Sequence, residues 1–137
     1  MTFRFIARTA GVDIDPDGYS ITAGLAEHDD GTGFNLIFLC DGADPDPLAP
    51  EMGMDTHCLV TGEQEGTAYG CVREVSSTGN VLRIVLAPEA LPDLNLDDSE
   101  IEATLEAPTA DLDRFREVLA RVLAYGRADA KPVSVSL

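Results

Sequence analysis

Ala110–Tyr125 reads ADLDRFREVLARVLAY and is the one stretch of this chain with a clear helical period. Leu112, Phe115, Val118, Leu119, Val122 and Leu123 recur three and four residues apart, so a helix here carries one continuous apolar stripe. Thr109 stands where an N-cap belongs, Asp111 and Asp113 suit the positive end of the helix dipole, and Gly126 with Arg127 suits the other end. The stripe must be covered, and the remaining sequence offers strands to cover it.

Those strands announce themselves by a period of two. In Thr2–Thr9, Phe3, Phe5 and Ala7 alternate with Arg4 and Arg8; Tyr19, Ile21, Ala23 and Leu25 alternate with Ser20 and Thr22. Asp13–Gly18 separates these two as a turn, and His28–Gly33 forms another before a strand at Phe34–Cys40. Asp41–Met52 holds Pro45, Pro47 and Pro50 among acids and glycines, which forbids a ladder of hydrogen bonds and predicts a long exposed loop. Further strands are expected at Asp55–Thr61, Thr67–Val75, Val81–Ala87 and Ile101–Glu106, with turns at Gly62–Gly66 and Ser76–Asn80 and one irregular helical turn in Pro88–Leu96. Short connections favour antiparallel pairing. The expected fold is therefore α+β: a meander-like antiparallel sheet of about six or seven strands with one C-terminal helix packed on it.

At 137 residues the chain has the length of one domain, so 1–137 is expected to share a single core without a disulfide or metal to support it. Residues 127–137 read either as an added edge strand, from the alternation in Val133–Leu137, or as a frayed end. Cys40, Cys58 and Cys71 are an odd number in apolar segments, as expected of buried thiols in a reducing compartment, and the cytoplasm is the expected location. The longest apolar run, Leu36–Cys40, is five residues, against the ~20 needed to span a bilayer, and the N-terminus lacks a signal-peptide core.

Charge is the strongest functional signal. The formal net charge is -16, from 9 Lys+Arg against 25 Asp+Glu. Between Arg8 and Arg73 there is no Lys or Arg, yet the interval holds thirteen carboxylates: Asp13, Asp15, Asp17, Glu27, Asp29, Asp30, Asp41, Asp44, Asp46, Glu51, Asp55, Glu63 and Glu65. Such a field repels nucleic acid and anionic membrane and attracts a basic protein. Salt adaptation or a compositional bias would give the same totals, but neither requires the bases to be missing from one contiguous stretch. The turn and loop acids Asp29, Asp30, Asp41, Asp44, Asp46, Glu51 and Asp55 are the candidate partner-binding residues.

No residues assemble into a reaction centre. Asp13–Gly18 begins like a calcium loop, but its closing carboxylate would fall at Gly24, and a turn between strands accounts for the same residues. His57 with Cys40, Cys58 and Cys71 lacks the paired spacing of a zinc site. Neither His28 nor His57 accompanies a nucleophile elbow or a phosphate-cradling glycine loop. The expectation is a non-enzymatic protein with no metal and no cofactor.

Taken in order, Leu48–Val60 with Met54-Asp55-Thr56-His57-Cys58 after an acidic Pro-rich loop, then Thr67-Ala-Tyr-Gly70, then the Leu82-x-Ile-x-Leu86 strand running into Ala90-Leu91 and Leu94-x-Leu96, resemble the immunity protein 10 family of bacterial polymorphic toxin systems. The resemblance covers nearly the whole chain and implies a small cytoplasmic antidote that binds a cognate toxin domain. It brings no catalytic residues with it. An acidic binder suits a basic toxin, such as a nuclease. The alternatives are a small-molecule or metal-binding α+β domain using a sheet face or the Asp13–Gly18 loop, and an acidic mimic of nucleic acid.

Overall fold

The computed structural model describes residues 2–14, 21–28, 33–40, 57–62, 66–124, 132 and 134–136. The fold is α+β, but its strands divide into two five-stranded sheets where one sheet of six or seven was expected. Strands β1 (Thr2–Ala7), β2 (Thr9–Ile14), β3 (Ile21–Ala26), β4 (Asn35–Cys40), β5 (Cys58–Thr61) and β6 (Gly66–Tyr69) are followed by β7 (Val72–Thr78) and β8 (Val81–Leu86). A 3₁₀ turn at Pro88–Ala90 leads into the short helix α1 (Leu91–Leu94), then β9 (Glu100–Leu105), the long helix α2 (Thr109–Leu123) and β10 (Ser134–Ser136).

One sheet is an antiparallel meander in sequence order, β2-β3-β4-β5-β6. The other is mixed, in the order β1-β9-β8-β7-β10, with β1 parallel to β9 and β10 parallel to β7. Connection length favours antiparallel neighbours only between strands adjacent in sequence. It says nothing of β1 and β9, whose paired residues Thr2 and Glu100 are 98 positions apart.

Two corners join the sheets, and both lie inside stretches that read as single strands. The segment Thr2–Thr9 is cut at Arg8, where Glu106 donates its N–H to Ala7 O at 2.9 Å while Arg8 donates to Ala26 O at 3.0 Å. Within two residues the chain thus changes partner from the mixed sheet to the meander. The segment Thr67–Val75 is cut at Gly70–Cys71; Gly70 has a left-handed φ of 61°, its N–H reaches His57 O at 2.8 Å, and Cys71 O accepts from Ala87 at 2.8 Å. Strands that pass from one sheet to the other through such bends form the corners of packed sheets. The β2 strand also absorbs Asp13 and Ile14, which were expected in a turn.

Helix α2 lies against β2, β3 and β4, and its stripe Leu112, Phe115, Val118, Leu119, Val122 and Leu123 is buried. Phe115 meets Phe38 of β4 edge-on at 6.5 Å, while Phe34 packs on Phe3 and Phe5 of β1 at 4.5 and 4.8 Å. The buried faces of both sheets and the helix form one hydrophobic cluster. The helix begins without a side-chain cap. Thr109 is its first residue, Pro108 is the N-cap, and no side-chain cap bond forms. The expected closure at Gly126 and Arg127 lies outside the described residues.

The turn α1 is fastened to the meander by a buried relay: Gly66 donates its N–H to Thr61 Oγ1 at 3.0 Å, and Thr61 Oγ1 donates to Leu94 O at 2.9 Å. Gly66 is glycine for a steric reason, since a Cβ there would collide with the backbone carbonyl of Leu94. Among the described residues no helix is long and apolar enough to cross a membrane.

Candidate functional site

Arg8 sits at the first corner and Arg73 is the second residue of β7, so the base-free interval of the sequence coincides with the meander sheet and its connections. The cations belong to the other layers. In the mixed sheet Arg4 pairs with Glu102 at 2.9 Å, Arg83 with Glu100 at 2.8 Å, and Arg73 lies 3.8 Å from Glu89 beyond the sheet. Hydrogen bonding from Arg83, reinforced by the Thr2 hydroxyl, holds the Glu100 carboxyl below its ordinary range. Such exposed pairs add little stability, but they offset part of the acidic charge on the outer face of that sheet, which also carries the exposed Glu74. Arg114, Arg116 and Arg121 ride on α2, which covers the inner face of the meander.

The outer face of the meander is different in kind. Its register places Thr9, Ala26 and Asn35 in one row across the strands, Gly11, Gly24, Ile37, Val60 and Thr67 in the next, and Asp13, Thr22, Leu39, Cys58 and Tyr69 in a third. Asp13 is the one charged side chain in these rows. Gly11 and Gly24 face each other across β2 and β3, leaving bare backbone beside Ile37, and this makes an open trough of about 380 Å³. Neither glycine has a left-handed φ. An added Cβ at Gly11 would meet nothing within 4 Å, and at Gly24 only ordinary contacts at 3.5 and 3.9 Å. The fold therefore does not require either glycine. Nothing in the sequence singled out this pair, because Gly11 and Gly24 become neighbours only once the register is known.

Asp29, Asp30, Asp41, Asp44, Asp46, Glu51 and Asp55 lie outside the described residues. Their places in the chain are the β3–β4 connection for the first two and the β4–β5 connection for the rest. Glu27, one of the thirteen acids, is used within the fold, where its Oε1 accepts the Phe34 N–H at 2.7 Å and closes the base of the β3–β4 connection.

His57 is wholly buried, and its Nε2 accepts the Val72 N–H at 3.1 Å beside the second corner. Burial, and then the charge of Arg73, pull its pKa down to about 4, so the ring is neutral at pH 7. Cys40, Cys58 and Cys71 are buried thiols, none of them in a disulfide. Burial pushes the Cys58 thiol up to about 11 and the Cys71 thiol up to about 12, which leaves both protonated and poor nucleophiles. Among the described residues no three His, Cys, Asp or Glu side chains are grouped to hold a metal. Asp13, the first residue of the supposed calcium loop, belongs to a strand, and Asp15–Gly18 lie outside the described residues.

The family model of immunity protein 10 matches residues 6–113, from the end of β1 into the first turn of α2. No curated protein and no solved structure matches the chain.

Proposed function

The chain belongs to the immunity protein 10 family, and from that premise we propose that it binds and neutralises a cognate toxin domain of a bacterial polymorphic toxin system without catalysing a reaction. The partner is basic, a nuclease being one candidate, and the complex forms on the meander side through Asp29, Asp30, Asp41, Asp44, Asp46, Glu51 and Asp55. The observation that carries this reading is the confinement of the base-free interval to one sheet, while the cations of the other sheet are engaged in pairs. A field of one sign, uncancelled over a whole layer, raises the encounter rate with an oppositely charged partner.

The test is kinetic. The variant carrying Asp29, Asp30, Asp41, Asp44 and Asp46 changed together to Asn should fold as the parent does and associate more slowly with the toxin domain encoded beside it. The on-rate should fall by roughly 10-fold or more at low salt, with a flatter salt dependence and a smaller change in off-rate. An on-rate equal to the parent's at low salt would remove the acids from the recognition mechanism. The small-molecule alternative gains no support from the trough, which is open and not enclosed.

A further inference from the structure

We infer that the trough over the Gly11–Gly24 pair is the central seat of the toxin interface, and that it takes a long cationic side chain, Arg or Lys, from the toxin. Its methylenes lie along the bare backbone beside Ile37, and its charge meets Asp13. The inference rests on the reading of this chain as a toxin binder and gives that reading a place on the molecule.

The glycines are the first argument. Glycine in the interior of a strand weakens it and often marks close approach by another group. Here the two stand directly opposite each other, in ordinary backbone conformation, with room for a side chain at both positions. The cost to the sheet has no internal return, so the space they leave is available to something outside the fold.

The second argument is charge. Among the described residues Asp13 is the one charged group lining the trough, and no Lys or Arg occurs anywhere in the meander to pair with it. A guanidinium or ammonium on an aliphatic stem matches an apolar floor with an acid at its end, because such side chains bury their methylenes while keeping the charge at a polar site. On the outer face of the mixed sheet, by contrast, Glu102 and Glu100 are already engaged by Arg4 and Arg83.

Size is the third. Three strands of six residues and two of four, rising about 3.3 Å per residue and spaced about 4.8 Å apart, present a face of roughly 400 Å², around half of what a stable complex buries per partner. The remainder must come from surface beyond the strands of the sheet. A central pocket surrounded by a polar rim is the usual anatomy of an interface.

The experiment compares the full chain with three variants for binding to the toxin domain encoded beside it, at about 0.15 M salt. Gly11→Leu fills the trough where a side chain meets no obstacle, Asp13→Asn removes the charge, and Thr78→Leu adds the same apolar bulk to the exposed end of β7 in the mixed sheet. All should melt cooperatively. The expected result is a loss of affinity of about tenfold or more for Gly11→Leu, carried by the off-rate. Asp13→Asn should also bind more weakly, and Thr78→Leu should bind as the parent does. If Gly11→Leu binds as tightly as a parent that does bind, the trough is not the seat, while the immunity reading stands. A parent that does not bind the toxin domain overturns both.

Discussion

His57 shows what burial does to a single titratable group in this molecule. The ring is fully enclosed and accepts the Val72 N–H through Nε2, and its pKa is pulled down to about 4 from the ordinary 6.5. The unfolded chain therefore takes up the proton first as pH falls. The stability this group contributes is complete above about pH 6.5, declines as pH falls towards 4, and is gone below that, a change of roughly 3 kcal/mol. We predict that His57→Gln, whose amide does not titrate, gives a flatter stability profile between pH 6.5 and 4 than the parent in denaturant melts. Matching slopes in the two proteins would mean that the imidazole is not held neutral. The comparison with the variant is essential, because many of the 25 acidic residues protonate over the same range.

Helix α2 owes its place to six side chains on one face, not to its caps. Phe115 and Leu119 are fully buried, so Phe115→Ala or Leu119→Ala should each lower stability by roughly 2–5 kcal/mol, measured by chemical denaturation. A variant that melts like the parent would place the stripe outside the core. This helix was legible in the sequence because its apolar residues repeat at 3.6 positions, the strands β3, β8 and β9 because theirs alternate, and β4 because a short apolar run follows a glycine-rich turn. The corners were not, since each spans only one or two residues and the strand-like composition continues on both sides. One trace was present: the buried positions run Phe5 and Ala7, then shift parity to Ala10, the mark of a one-residue slip at Arg8. The parallel partners of β1 and β7 left no trace, because pairing between distant segments is written in no local pattern. Of the candidate docking surface, sequence supplied the charge and the loops but not the trough.

At the scale of the whole molecule, the two sheets divide the labour that a binding protein must perform. The mixed sheet pairs Arg4 and Arg83 with Glu102 and Glu100 and closes the structure, whereas the strands of the meander contain no Lys or Arg and turn a nearly uncharged face outward. The inner face of each sheet meets the common hydrophobic cluster, so the outer face of the meander can take side chains chosen for a partner at little expense to the core.

The pairing of β1 with β9 also dictates a schedule. The meander pairs only strands adjacent in sequence and is complete by Tyr69, whereas the mixed sheet cannot close until a segment 98 residues downstream returns to the N-terminal strand. Closing a loop of that length before its contacts repay the lost entropy makes the step slow and late in folding. Leu36 of β4 and Ile101 of β9 are both fully buried and report on the two halves. In stopped-flow measurements Leu36→Ala should retard folding, while Ile101→Val should chiefly hasten unfolding. The opposite pattern would put closure first. With the meander leading, β1 waits with an open edge, and a chain stalled at that stage exposes the strand most prone to pair with a neighbour's.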